Sequence, residues 1–458
     1  MSAHCAVIDV GKTNVKVHVV DERLQLRFGR SRTNTVIEQG IYPHYDTHAL
    51  WRWIRRTLGE IARDYHIDAI SITTHGAAAA LVHPEAGESG LVLPIMDYEY
   101  EGVASESDYR ELRPPFAETF SPALPAGLNL GRQLFWQQRY CARAFEGARY
   151  ILPYPQYWAW RLSGVAVSEV TSWGCHTDLW APQAHDYSTL VDRLGLRERL
   201  PPLVSADTMV GTVTEEIVEQ TGLPRDCRVY AGVHDSNASY LRYLSRASGQ
   251  PFTVISTGTW VISFSAGTAL QRLEERRDML ANVDIEGNPV ACARFMGGRE
   301  FDVICKRTGA KPEDSFSEAD LQRLIDSRVL ALPDFSDGSG PFGGRPPELR
   351  GHAARGVALA SVYCALMTDY ELELLGSEGD LIVEGAWLRN PLLCGMLAQL
   401  RPAQNVYLST DETGTVSGAA QLAFGKGIPA PALQVAVATG LGGLAGYRAE
   451  WRAALAAG

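Results

Sequence analysis

The feature that most constrains this chain is a strand, a polar glycine turn and a second strand, written twice. Residues 5–9 form a short apolar run that ends on an acid and enters Gly11, and residues 15–20 alternate Val-Lys-Val-His-Val-Val. Such alternation turns one strand face to a core and the other to water, so two runs around a glycine turn predict a β-hairpin. Roughly 250 residues later, residues 252–256 run into Thr257-Gly258-Thr259, and residues 260–264 continue as a strand. Two hairpins of one design predict two related domains.

The segments between them fit that plan. Residues 47–65 carry Leu50, Trp53, Ile54, Leu58 and Ile61 at helical spacing, and residues 68–74 and 91–96 read as strands. In the second half, residues 228–233 form a strand ending at His234-Asp235. Residues 380–383 lead as a strand into Glu384-Gly385, and a helix follows over 391–400. Strands alternating with helices predict an α/β architecture. A boundary is expected near 220–235, after the Gly222-Leu-Pro224 turn, giving domains 1–228 and 229–458. Residues 336–351, rich in glycine and proline, read as a long loop. The alanine- and glycine-rich stretch after Ala430 carries no clear signal.

A length of 458 residues allows two or three domains, with 46% hydrophobic and 21% charged residues marking an ordinary soluble composition. The formal net charge of -11 excludes a general nucleic-acid-binding role, because such a surface repels phosphate. None of the 8 cysteines forms a C-x-x-C pair, so no zinc or disulfide framework is expected, and the compartment reads as reducing. The opening MSAHCAVIDVGKTN lacks a basic segment followed by an apolar core, and no apolar run approaches the ~18 residues of a membrane span. A soluble, cytoplasmic protein with no membrane partner is expected.

Three segments carry chemistry. Asp9-Val-Gly-Lys-Thr-Asn14 offers backbone N–H groups at Gly11 for an anion, neutral donors at Thr13 and Asn14, and a carboxylate at Asp9 suited to hydrated Mg²⁺. It is no Walker loop, since position 6, where that motif needs glycine, is Ala6. A plain hairpin turn explains the segment equally well when it is taken alone. Thr257-Gly258-Thr259 repeats the pattern of hydroxyls around a glycine, suited to a β- or γ-phosphate. Asp235 falls where a strand meets a helix start. Phosphoryl transfer to an alcohol needs such a carboxylate within reach of the hydroxyl proton, while a helix cap is the alternative role.

In this order, the three segments resemble the FGGY carbohydrate kinases, of the two-domain, actin-like and hexokinase-like ATPase fold with duplicated ribonuclease H-like domains. Asp9-x-Gly-x-Thr-Asn is similar to the first phosphate motif, His234-Asp235-Ser236 to the catalytic segment, and Thr257-Gly258-Thr259-Trp260 to the second phosphate motif of L-fuculose and L-rhamnulose kinases. Leu130–Trp136, the YWAWRLSG run at 157–164 and Phe295-Met-Gly-Gly-Arg-Glu300 are looser, collinear matches. The resemblance runs from about residue 5 to 425. It implies a sugar-binding N-terminal domain and a nucleotide-binding C-terminal domain that close around substrate. It implies transfer of the γ-phosphoryl of ATP to a hydroxyl of a ketose or deoxyketose such as L-fuculose or L-rhamnulose. D-xylulose, D-ribulose and glycerol are the rival substrates, and a catalytically inactive protein of the same fold is the rival role. Asp235 is implied as the base and Asp9 as the Mg²⁺ residue. Gly11, Lys12, Thr13, Asn14, Thr257, Gly258, Thr259, Gly298, Gly385, Ala386, Trp387 and Asn390 are implied to bind ATP. The sugar is implied to meet His75, Gly76, Asp97, Tyr98, Trp173, His234 and Asp235. Partners are the sugar and ATP, with a homodimer as the candidate assembly.

The chain departs from the family pattern in three places, and a fourth residue, Trp173, lies in a segment the resemblance brings near substrate. Gly385-Ala-Trp-Leu-Arg-Asn390 carries Trp387 where the adenosine motif has glycine, so the indole must swing away or stack on a base. Lys12 replaces a small residue and points either to a phosphate or to solvent. His75-Gly-Ala-Ala lacks the aspartate expected there, leaving His75 as a sugar donor or a satisfied core histidine. Trp173, near His176, either stacks on a sugar face or packs in the core.

Overall fold

The computed structural model describes residues 3–104, 107–247, 249–336, 338–410, 414–425, 428 and 431–456. The first hairpin forms as its alternation requires. Strand β1, His4–Val10, pairs antiparallel with β2, Asn14–Asp21, and the valines at 15, 17 and 19 are fully buried. A third strand, β3 (Leu26–Thr33), pairs antiparallel with β2 and is largely exposed. Helix α1, Thr47–Ile61, is capped by Asp46, whose side chain accepts from Ala49 N–H at 2.9 Å, and it buries the five predicted apolar residues. Each such burial contributes about 1.5–3 kcal/mol.

Strand β4, Ala69–Thr74, lies parallel to β1, and β5 (Met209–Thr212) and β6 (Arg228–Tyr230) extend the sheet to give the order β5-β6-β4-β1-β2-β3. The expected strand over 228–233 is two short ones, β6 and β7 (Val233–His234), both parallel to β4. Gly232 causes the break. Its φ is +86°, and a Cβ there would lie 2.8 Å from the Ile72 carbonyl oxygen. Helix α2, Asp235–Ala247, starts at once after β7. This unit comprises Met1–Arg246, Ala281–Pro289 and Thr413–Ala430, and the helix Gly414–Phe424 packs on β1 and β4.

The second unit comprises Ala247–Leu280, Val290–Glu412 and Pro431–Gly458. Where a single division was expected at 228/229, the chain passes to the second unit near Arg246 and returns twice, with Val283, Val416, Ala419 and Ala420 buried in the first unit's core. Strands β8 (Phe252–Thr257), β9 (Val261–Ala266) and β10 (Pro289–Phe295) form the second meander. Helix α3 is Gly297–Arg307, and α4, Gly356–Leu375, is buried along nearly its whole length. Strand β11 (Asp380–Gly385) is followed by α5 (Pro391–Leu400), β12 (Val406–Ser409), β13 (Leu433–Val435) and α6 (Leu444–Ala456). The order is β10-β9-β8-β11-β12-β13, with β8/β9 and β9/β10 antiparallel, β8/β11 and β11/β12 parallel, and β12/β13 antiparallel. The first sheet has the same sequence of pairing senses. The predicted duplication is thus a duplication of topology.

Three expectations change. Residues 91–96 form no strand; only isolated bridges tie Leu91 to Val82 and Met96 to His44, and Pro94 has no N–H for a ladder. The loop over 336–351 contains Glu348–Arg350, which pairs with Leu330–Leu332. The alanine-rich C-terminal stretch folds as β13 and α6, which buries Tyr447 and Trp451, with Trp451 Nε1 donating to Ala331 O at 2.7 Å. No helix of the described residues is long and apolar enough to cross a membrane.

Candidate active site

The turn between β1 and β2 is closed by Gly11 N–H donating to Asn14 O at 2.9 Å. Asn34, just past β3, holds it from outside, with Nδ2 donating to Gly11 O at 2.9 Å and N–H to Thr13 O at 2.8 Å. Thr13 and Asn14 remain exposed, while Asp9 is buried beneath them. Burial pushes Asp9 up to about 6; Lys16, whose Nζ is 3.6 Å from Oδ2, opposes this, and the Asp235 charge adds to it.

Lys12 does not stand free for a phosphate, as expected, nor does it point to solvent. Its ammonium pairs with Asp97 and with Glu99 (3.1 Å), 4.8 Å from the ring centre of Tyr98 and 5.5 Å from that of Tyr45. Tyr45 also donates to Asp97 Oδ1 at 3.1 Å. Asp97 and Tyr98 are thus joined to the first turn through Lys12.

His75 follows β4. Its Nδ1 lies 2.8 Å from the Gly76 carbonyl oxygen, which can only accept, so Nδ1 carries the proton and Nε2 the lone pair. Nε2 is buried and has no partner among the described residues. The rings of Tyr45, Tyr98 and Tyr154 surround the imidazole at 5.0–5.4 Å. Burial drives His75 down to about 4, so it is neutral near pH 7. Nε2 thus presents a buried lone pair, and an acceptor left without a donor there costs about 1–3 kcal/mol.

Asp235 opens α2, with its side chain one-third exposed. Its Oδ1 accepts from Ser236 N–H at 2.6 Å and lies 3.3 Å from His234 Nε2. A capping aspartate bonds N–H groups two or three residues ahead, which is not the bond seen here. Among the described residues all these contacts fall on Oδ1. The Asp235 charge is felt at Asp9, His75 and Tyr98, so these four groups share one site.

Two expected sugar contacts are corrected. Trp173 is 1% exposed and packs edge-on against Tyr187 at 6.0 Å, which makes it a core residue. His234 is buried with both ring nitrogens engaged, by Asn237 Oδ1 at 2.8 Å and by Asp235 and Cys175. Gly76 serves that imidazole, because a Cβ at 76 would lie 2.7 Å from His234 Nε2.

In the second unit, six of the expected nucleotide residues, Gly258, Thr259, Gly298, Ala386, Trp387 and Asn390, line one cavity of about 1130 Å³. The backbone there approaches itself closely. A Cβ at Gly385 would meet Thr257 O at 2.1 Å, and one at Gly298 would meet Gly258 O at 2.3 Å. Gly298 N–H donates to Thr259 O at 3.2 Å, setting the N-terminus of α3 beside the turn, a favourable site for phosphate. The Thr257 hydroxyl is already used: it donates to Glu384 O at 2.5 Å and accepts from Trp387 N–H at 3.0 Å. Thr257 therefore shapes the turn, and exposed Thr259 offers the free hydroxyl. Trp387 takes the first of its two alternatives, its indole turned into the core against Phe295, 5% exposed. Asn390 caps α5 through Leu393 N–H at 3.1 Å and donates to Ser361 Oγ. Arg299, Phe301 and Arg389 also line the cavity.

A metal cage is absent among the described residues, where no group of three or more His, Cys, Asp or Glu side chains converges. The buried Asp9 carboxylate, paired with Lys16 at 3.6 Å, nonetheless fits Mg²⁺, an ion held mostly by water and substrate phosphates with one or two carboxylates.

Residues 5–241 match the family described as FGGY family of carbohydrate kinases, N-terminal domain, and residues 249–431 match carbohydrate kinase FGGY, C-terminal domain. The chain is similar to a carbohydrate kinase from Novosphingobium aromaticivorans, 36% identical over 100% of this chain and 99% of that one, with a TM-score of 0.92. It shares its fold with xylulose kinase from Rhodospirillum rubrum, 17% identical over 99% of this chain and 98% of that one, with a TM-score of 0.80. L-fuculokinase from Escherichia coli strain K12 is 24% identical over 265 residues, 56% of this chain and 55% of that protein, so the chain spans about half the length of the curated relatives it matches.

Proposed function

Because the chain belongs to the FGGY family of carbohydrate kinases, we propose that it transfers the γ-phosphoryl of ATP to a hydroxyl of a free ketose or deoxyketose. The observation that carries this reading is the Asp235 carboxylate at the β7–α2 junction, with Oδ2 uncommitted and the unpartnered Nε2 of His75 in the same site. The sugar hydroxyl gives its proton to Asp235 Oδ2, its oxygen takes the γ-phosphoryl, and ADP leaves. Another sugar hydroxyl donates to His75 Nε2, and Asp97 and Tyr98 orient the remainder. Gly258, Thr259, Gly298 and the cavity beyond them take ATP. Asp9 would hold Mg²⁺, whose charge neutralises the phosphates.

L-fuculose or L-rhamnulose is the proposed substrate. The likeness to L-fuculokinase and the Thr257-Gly258-Thr259-Trp260 and His234-Asp235-Ser236 segments support it. None of the eight cysteines is in a disulfide and seven are buried, which accords with a reducing compartment, and the cytoplasm is the proposed location. The test is a coupled ADP-release assay with Mg-ATP across ketoses, deoxyketoses and polyols. A strong response to a deoxyketose is expected. Silence with every sugar, with ATP bound normally, would sink the reading.

A further inference from the structure

Two buried titratable groups beside Asp235, Cys175 and His234, have no part in phosphoryl transfer as described. The hydrogen bonds fix the protonation of His234. Asn237 Nδ2 donates to Val283 O, so its Oδ1 faces His234 Nδ1 at 2.8 Å, and Nδ1 must carry a proton. Nε2 lies 3.3 Å from Asp235 Oδ1 and 3.7 Å from Cys175 Sγ. With Nδ1 protonated, a lone pair on Nε2 would face the Asp235 carboxylate oxygen at ion-pair distance, whereas a proton there pairs the ring with that oxygen and makes it an imidazolium. An imidazolium with 5% exposure needs compensating charge within reach. Asp235 is one source, and the thiol of Cys175, 4% exposed, is the other.

We propose that His234 is a positioning residue, held as an imidazolium between the Cys175 thiolate and the Asp235 carboxylate, which keeps Asp235 Oδ1 engaged and Oδ2 turned to substrate. The surroundings are built for this pair. Gly76 leaves the room it occupies. Buried Glu169 accepts the Thr171 hydroxyl at 2.6 Å, and Thr171 Oγ1 in turn accepts His234 N–H at 3.1 Å, fixing the backbone one residue before Asp235. The charged and titratable groups facing the pair are Asp235, Glu169, His75 and His176. Burial opposes charge on both partners. The His176 and His234 imidazoles outweigh it at Cys175, which is pushed down, and Cys175 and Asp235 outweigh it at His234, which is pushed up.

The catalytic consequence rests on the reading of Asp235 as the base, but the ion pair does not. The first experiment therefore measures the pair alone: thiolate absorbance at 240 nm in the native protein, titrated from pH 4 to 9, for the wild type and for C175A and C175S. One thiolate at pH 7 that both variants lack is expected. Equal absorbance in all three proteins overturns the proposal. The second measures the pH profile of kcat/KM for H234Q and C175S, with thermal melting as the control for folding. H234Q removes a positive charge 3.3 Å from the carboxylate, so the acid limb of its profile should lie above that of the wild type. A lower rate with an unmoved limb makes the pair merely structural and overturns the positioning role. Full activity in D235N would instead remove the base, leaving the thiolate result standing.

Discussion

The two glycine turns occupy the same point of two sheets with the same pairing, yet they are furnished differently. Gly11 and Gly258 each donate across their turn, at 2.9 and 2.8 Å. The strand preceding each turn ends beside its parallel neighbour in the same register, Val10 against Thr74 and Thr257 against Gly385. Around the first turn stand Asp9, Lys12, Lys16 and His75. The matching positions around the second are Ser256, Thr259, Ile262 and Ala386. A Cβ at Gly258 would sit 3.8 Å from its nearest neighbour, against 3.0 Å at Gly11; the tightest approach of the second unit lies beside its turn, 2.1 Å at Gly385 on the neighbouring strand. In the proposed reaction the ionisable side chains at the first turn suit moving a proton and holding a metal, and the hydroxyls and backbone at the second suit cradling a polyanion.

The largest expected effect tests that division directly. D235N should lower kcat by about 10²–10⁴-fold while ATP affinity, measured by calorimetry, stays at the wild-type value. Loss of ATP binding in this variant would mean that the charged unit also carries nucleotide. Next, G385A should destabilise the protein by about 1–3 kcal/mol in urea and weaken ATP binding, because Thr257 O must move. G11A should cost less on both counts, and a larger effect there would invert the comparison. D9N should raise the Mg²⁺ concentration for half-maximal activity by roughly 10-fold, with the ATP-binding cavity undisturbed. An unchanged metal titration would take Asp9 out of its role.

The smallest effect concerns pH. His75 is held down to about 4 by burial, whereas an unfolded histidine titrates near 6.5. Between those values the unfolded chain binds a proton that the folded one does not, so stability falls as pH drops through that window. The slope is about 1.4 kcal/mol per pH unit, flattening below pH 4. H75Q should lose this slope in urea melts, and a retained slope would assign it elsewhere.

The hairpins, α1, β4, α5 and the strand–helix junction at Asp235 were legible in the sequence because each rests on local pattern, whether period-2 valines, helical spacing or a glycine turn. What was not legible is long-range. Nothing near Asn34 marks it as the clamp of a turn some twenty residues earlier, and Lys12 gave no sign of reaching Asp97. Trp173 and Trp387 each left two readings open, because an indole suits a ligand face and a core equally well. Only packing against Tyr187 and Phe295 decided them. The Leu91–Met96 run carries strand composition, but one proline removed the donor a ladder needs. The two returns of the chain to the first unit were invisible for the same reason, since neither segment carries a local pattern that names its partner.

The helix Gly414–Phe424 has a consequence for how the protein is made. Its Val416, Ala419 and Ala420 complete the apolar cluster of Cys5, Val7 and Ala69, strands laid down at the very start of the chain. On the ribosome, at ~5–20 residues per second, those strands wait about 10–40 s after Arg246 emerges before their cover is synthesised. During that interval an apolar sheet face is open to chaperones and to other nascent chains. An excised N-terminal half would keep it open permanently, so a fragment ending near Arg246 should aggregate, whereas adding the 414–424 helix as a separate peptide should restore its solubility.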